Sequence, residues 1–332
     1  MKSLRIDGQG AAHIETVPEP TPEADQVLVK TAVSALCGSE LHAFRGDGMA
    51  KGNSGHEAAG TVVAVGAEVQ GITVGQRVGV SAVVGCGRCA QCAEGRYTWC
   101  SSWKFFPNMH AEQFVIPARG CHVLPDDVAW PVGALITGDG LGVPYHTSRK
   151  LLRHDIRTVV VWGLGPIGLG NVLVQAHAGR RVIGVDLVEE RRALALKCGA
   201  ADVVDGAADN AVEEVRSLAG PDGADAAIEA VGRPETVKHC IAAVRRGGTV
   251  ILNGEQPAVE LSPSSDFIRR DITVTGSWYY HFHEFAGMLG LCRQGLDVQC
   301  LVTHEFAFDD APEAFTAFAG SATGKVILRY AE

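Results

Sequence analysis

The sequence predicts an α/β protein in two parts, a β-rich N-terminal part followed by a doubly wound parallel sheet. Three observations carry that prediction. Near residue 145 the texture changes: before it, β-branched runs stop at glycine and proline turns, and after it, apolar strands alternate with segments of helical spacing. At 332 residues the chain is too long for one hydrophobic core and fits two domains. With 46% hydrophobic and 20% charged residues it has an ordinary globular balance, which excludes the disordered class.

The elements follow in order. "QVLVKTAVSAL", "GTVVAVG", "QRVGVSAVVG" and "AEQFVIP" are β-branched runs bounded by Gly, Pro and Asp, and read as strands. From Thr158 onward "TVVVW", "RVIGVD", "ADVVD", "DAAIEAV" and "GTVILNG" read as short strands buried on both faces. Between them "ERRALALKCG" and "PETVKHCIAAVRRG" have helical spacing. After "DITVTGSW" come a helix over about 284–294, a strand "VTHEFAF", a further helix and the strand "KVILRY".

A formal net charge of -9 argues against nucleic acid as a partner, because that binding needs clustered Lys and Arg. No apolar stretch is long enough to span a bilayer, and "MKSLRIDGQGAAHIE" lacks the apolar run of a signal peptide, so a cytoplasmic location is expected. Ten cysteines in such a chain do not suggest a disulfide framework. Cys121, Cys198, Cys240, Cys292 and Cys300 are scattered and read as small core residues.

Three motifs carry chemistry. "VVVWGLGPIGLG" gives Gly163-x-Gly165-x-x-Gly168 directly after an apolar strand, with Pro166 and Ile167 between the last two glycines. The glycines serve a tight turn, a close approach of backbone to a pyrophosphate, and close helix–strand packing. Pro166 suits the first turn of a helix, whose free N–H groups face phosphates. The next strand ends in Asp186, placed to accept hydrogen bonds from adenine-ribose hydroxyls and to repel a 2′-phosphate, which favours NAD over NADP. Arg191 reads equally as a ribose neighbour or a solvated helix charge.

The second motif is Cys86, Cys89, Cys92 and Cys100, a quartet suited to a closed tetrahedral zinc site, with an iron–sulfur cluster as the competing reading. The third is "SALCGSELHAFRGDGMAKGNSGHEAAG", which gathers Cys37, Ser39, His42, His56 and Glu57 as metal ligands, proton carriers or core residues.

In this order "CGSELH", "GHEAAGTVVAVG", the cysteine quartet and the nucleotide fingerprint resemble the zinc-dependent medium-chain alcohol dehydrogenases, polyol and threonine dehydrogenase-like branch, over nearly the whole chain. The resemblance implies a GroES-like catalytic domain with a structural-zinc lobe over 1–145, a Rossmann NAD-binding domain over 146–281, and a segment over 282–332 that returns to the catalytic domain. It implies an active site in the cleft between domains. It implies two zinc ions per subunit, the catalytic one on Cys37, His56 and Asp139, where many relatives have Cys in place of Asp139. Glu57 matches an acid that sits behind the zinc or occasionally on it, and is expected behind it, and Ser39 and His42 match the family's proton relay. Glu40 replaces an Asp and is expected to orient the zinc-bound histidine, and Gln76 replaces the Asp of a common turn.

The implied reaction is NAD-linked interconversion of a secondary alcohol and a ketone, by a homodimer or homotetramer. Phe105, His110, Trp278, Tyr279, His281 and His283 read either as lining for a hydroxylated substrate (a polyol, sugar or amino alcohol) or as packing residues. Two rival functions are a zinc-independent enone or quinone reductase and a non-enzymatic scaffold. The presence of Cys37, His56 and Asp139 argues against the first, and the Ser39–His42 relay against the second.

Overall fold

A computed structural model describes residues 1–331. The apolar runs after Thr158 form six strands: β1 (Thr158–Trp162), β2 (Arg181–Asp186), β3 (Asp202–Asp205), β4 (Ala224–Glu229), β5 (Val244–Leu252) and β6 (Thr273–Gly276). They pair in the order β3-β2-β1-β4-β5-β6, every pair parallel. This order reverses between β1 and β4, the place where open α/β sheets bind nucleotides beyond their carboxyl ends. Helices Pro166–His177, Glu189–Lys197, Ala211–Ala219 and Pro234–Ala243 connect successive strands. Val160, Ile183, Val185, Val237, Ile241 and Val250 form part of one core, which is why these strands read as continuous apolar runs.

The helix read from "PETVKHCIAAVRRG" stops at Ala243, and Val244 already belongs to β5. Val244 is buried on the sheet, while Arg245 binds Asp225 at 2.6 Å and Asp155 at 2.8 Å. Helical spacing persists through these residues with no breaker before Gly247, so the boundary was hidden.

The N-terminal part forms a seven-stranded sheet centred on Gln26–Ala35, which pairs with Ala58–Val65, Gln113–Pro117 and Lys325–Arg329. Lys325–Arg329 runs antiparallel to Gln26–Ala35, so a late strand lies beside an early one. Leu4, Ile6, Leu36, Phe44, Phe315 and Leu328 close a core against this sheet. The β texture expected up to residue 145 gives way earlier to helices Trp130–Thr137 and Asp139–Lys150, the second starting at a candidate site residue.

By its contacts the chain divides into two units. The first comprises Met1–Gly142, Tyr279–Gln294 and the chain from Val302 onward; the second comprises Val143–Trp278 and Gly295–Leu301. The sequence reading placed the changes after residues 145 and 281 and gave everything from 282 to the first unit. Tyr279 and Tyr280 instead belong to the first unit, where the Tyr279 hydroxyl accepts the Ala82 N–H at 2.8 Å. Leu296, Val298 and Leu301 are buried in the second. Among the described residues no helix is long and apolar enough to cross a membrane.

Candidate active site

In the first unit, ligand atoms of Cys37, His56, Glu57 and Asp139 lie within 4.8 Å of one another. Asp139 Oδ2 is 3.0 Å from His56 Nε2 and 3.6 Å from Cys37 Sγ. His56 Nδ1 donates to the Ser54 carbonyl at 2.8 Å, which turns Nε2 towards the cluster, as in metal-binding histidines. Asp139 Oδ1 is buried without a hydrogen-bond partner. A thiol, an imidazole and a carboxylate converging beside an orphaned oxygen fit a zinc ion, whose ligands are of these three types. Burial disfavours a charged His56, but the Cys37 and Asp139 charges outweigh it and raise its pKa well above the ordinary value. Burial also pushes the Asp139 carboxyl up, yet His56 and Lys325 hold it below its usual range. A cation bound by this cluster would take the place of the His56 proton.

Glu57 stands apart from the other three. Its carboxylate pairs with the fully buried Lys325 ammonium, and Oε2 accepts the Gly140 N–H at 2.9 Å. Lys325 Nζ also donates to the Leu36 carbonyl at 3.3 Å. Burial disfavours the charged Lys325, but Glu57, Cys37 and Asp139 outweigh it and raise its pKa. A Cβ on Gly138 would come 2.7 Å from Glu57 Cγ, so this carboxylate needs glycine there. Sequence reasoning missed Lys325, because a lysine opening a strand carries no signal of burial.

Glu40 corrects an expectation. It does not orient His56: Oε1 accepts the Cys37 N–H and Oε2 meets His110 Nε2, both at 2.9 Å. His110 is itself fully buried, with Nδ1 2.8 Å from Ser34 Oγ, so it braces the Cys37 loop instead of lining a pocket. Gln76 keeps its turn by accepting the Thr73 N–H at 2.9 Å.

Ser39 is exposed at the start of helix Glu40–Arg45 and makes no side-chain capping bond, while His42 is exposed one turn along the same face. Phe105 is also exposed, its ring centroid 5.3 Å from that of His56. Trp278 is 40% exposed and belongs to the second unit. Tyr279 and His281 are buried in the first unit, with His281 Nδ1 2.9 Å from Thr98 Oγ1, so they hold the loop and are not substrate lining. His283 is exposed, and its N–H donates to the Gly95 carbonyl at 3.3 Å.

Cys86, Cys89, Cys92 and Cys100 gather with their sulfurs within 4.8 Å of one another. Cys89 and Cys92 are 3.5 Å apart and Cys86 and Cys92 3.9 Å, and neither pair is bonded. Four sulfurs about 2.3 Å from one zinc define a tetrahedron with edges of about 3.8 Å, so the spacing fits a closed zinc site.

In the second unit Gly163 turns the chain at φ +90 as β1 ends. A Cβ on Gly168 would stand 1.8 Å from the Gly163 carbonyl oxygen, whereas one on Gly165 would enter open space with only Arg191 Nη1 at 4.0 Å. That opening lies beside the N-terminus of Pro166–His177, whose free N–H groups suit an anion. Ile167 follows Pro166 in that first turn, and its carbonyl accepts from Asn171 at 2.9 Å. Asp186 accepts the Leu164 N–H at 2.6 Å and the Val188 N–H at 2.9 Å, so it fixes the loop and keeps one further lone pair per oxygen. Arg191 Nη1 lies 3.9 Å from the same carboxylate. Gly168→Ala is expected to cost about 1–3 kcal/mol through this backbone clash, seen as a lower unfolding temperature and weaker dinucleotide binding.

The fold and the two donor clusters define a dehydrogenase scaffold. The sequence matches the alcohol dehydrogenase GroES-like domain over residues 23–126 and the zinc-binding dehydrogenase family over 166–294. It is 30% identical over 343 residues to L-threonine 3-dehydrogenase of Aeromonas salmonicida, covering 99% of each chain. Among solved structures it is similar to 2R,3R-butanediol dehydrogenase from Bacillus subtilis (26% identity, TM-score 0.85, 99% of each chain). Galactitol-1-phosphate dehydrogenase from Escherichia coli is similar too (26% identity, TM-score 0.87, covering 99% of this chain and 100% of that one). The chain belongs to the zinc-dependent medium-chain alcohol dehydrogenase family.

Proposed function

We propose that this protein catalyses zinc-dependent, NAD-linked oxidation of a secondary alcohol of polyol, sugar or amino-alcohol type to a ketone, or the reverse. The observation that carries the reading is the convergence of Cys37, His56 and Asp139 beside the unpartnered Asp139 Oδ1. These three side chains hold the catalytic ion, and the cysteine quartet holds a second. One thiolate and one carboxylate would balance a divalent charge, while Lys325 already balances Glu57, which would support the donors rather than hold the ion.

When bound, zinc lowers the pKa of an alcohol hydroxyl and polarises a carbonyl. NAD supplies the hydride acceptor. Ser39 and His42 move the alcohol proton towards solvent, and Phe105 contributes an apolar wall beside His56. Asp186 supports NAD over NADP, because its carboxylate opposes a 2′-phosphate and already draws Arg191. The substrate class is supported by relatives that act on threonine, butanediol and galactitol phosphate. A cytoplasmic homodimer or homotetramer completes the proposal.

The test is a panel of polyols, amino alcohols and simple primary alcohols with NAD and NADP, run with and without a chelator. The expected result is NADH formation fastest with a secondary polyol or amino alcohol, lost on chelation and restored by zinc. Primary alcohols far ahead of the rest would overturn the substrate class, and chelator-insensitive turnover would overturn the metal mechanism.

A further inference from the structure

Cys198 and Cys300, expected to be inert core residues, meet in the second unit with their sulfurs 3.6 Å apart, although 102 positions separate them. Cys198 caps the C-terminus of helix Glu189–Lys197, and Cys300 sits in the short turn Val298–Leu301. Neither belongs to a metal-holding cluster among the described residues. We propose that Cys198 and Cys300 are an oxidation site, closing a reversible disulfide when the protein meets hydrogen peroxide, with Cys300 the attacking thiol and Cys198 the resolving one.

Geometry assigns these roles. Cys300 is partly exposed, whereas Cys198 is 3% exposed and lies behind it. A disulfide needs its sulfurs about 2.05 Å apart, so the two would close by about 1.5 Å. A hydrogen bond from Cys198 holds the Cys300 thiol below its ordinary range against the effect of burial, and the same contact pushes Cys198 up. The more acidic thiol is thus the one that solvent reaches, the arrangement of a peroxide-sensitive cysteine beside its resolving partner. Cys121 and Cys240, both buried, have no such neighbour.

In the first step the Cys300 thiolate attacks peroxide. An S–O bond forms, the O–O bond breaks, and hydroxide leaves and takes up a proton. In the second step the Cys198 sulfur attacks the sulfenic sulfur, the S–S bond forms and water leaves. Two thiols lose two electrons and two protons, and one peroxide becomes two waters. A thiol reductant reverses the change by exchange. The bond would fasten Gly295–Leu301 to the end of the helix that begins just after Asp186.

The test uses the full chain loaded with zinc. It is exposed to a modest excess of hydrogen peroxide, alkylated with N-ethylmaleimide, digested, and mapped by mass spectrometry before and after reduction. The expected result is a Cys198–Cys300 linked peptide in most molecules, removed by reductant, with zinc retained. In Cys198→Ser the sulfenic acid at Cys300, trapped by dimedone, is expected to rise roughly tenfold over wild type, because the resolving thiol is gone. Both cysteines recovered alkylated after peroxide, or no rise of trapped Cys300 in Cys198→Ser, would overturn the assignment.

Discussion

Asp139→Ala is expected to lower bound zinc from two ions per chain towards one and to cut kcat/KM about a thousandfold. Only two clusters can hold a metal among the described residues, and Asp139 belongs to one of them. Without its carboxylate, Cys37 and His56 remain with only Glu57, which Lys325 already pairs, and the cluster has one negative charge fewer. Losing a Lewis acid removes several kcal/mol of transition-state stabilisation, and about 4 kcal/mol corresponds to a factor of about a thousand. Elemental analysis and steady-state kinetics on the same preparation read both effects. Asp139→Cys supplies a thiolate of similar charge and is expected to recover most of the metal, which separates ligand loss from general damage. An alanine variant that keeps both metals and its activity would move the third ligand elsewhere and sink the assignment.

Lys325→Met is expected to destabilise the first unit by about 3–5 kcal/mol, because it leaves the Glu57 carboxylate buried without its cation. Glu57 and Lys325 are both fully buried, so water cannot take over the solvation. The deficit should depend on pH in a definite sense. Burial already raises Glu57 above its ordinary carboxylate value, and loss of Lys325 removes an opposing influence. A carboxyl whose folded pKa exceeds its unfolded value destabilises the fold increasingly as pH rises from the unfolded towards the folded pKa. The gap between variant and wild type should therefore widen from acid towards neutral pH in thermal unfolding. The double variant Glu57→Gln with Lys325→Met should regain most of the loss, since no unpaired charge remains. A single variant as stable as wild type at neutral pH would show that the pair is not the support described here.

Local patterns in the sequence revealed much of the fold and part of the site. Gly163, Gly165 and Gly168 were legible because a strand, three glycines and a helix must follow one another within a dozen residues. The cysteine quartet was legible for the same reason, its spacing being a local property. Glu40 was misread because its partner, His110, lies 70 positions away, and an acid near a metal-type histidine has several plausible neighbours. The aromatic and histidine run from Tyr279 to His283 was ambiguous by composition. Only the packing of Tyr97 on Phe282, with centroids 4.9 Å apart, and the Thr98–His281 contact show that it braces the cysteine lobe. Lys325 and the Cys198–Cys300 pair could not be read at all, since each depends on which distant segment the sheet or helix brings alongside. Long-range pairing, not local propensity, is what the pattern leaves out.

The antiparallel placement of Lys325–Arg329 against Gln26–Ala35 has a temporal meaning. Glu57 leaves the ribosome 268 residues ahead of the lysine that neutralises it. At roughly 5–20 residues per second that interval is on the order of 13–54 s. During it Val33, Ser34 and Ala35, just before Cys37, lack the strand that pairs with them, and Glu57 lacks its counter-ion. The buried support of the site is thus completed only when the segment carrying Lys325 has been made, well after the donors it stands behind.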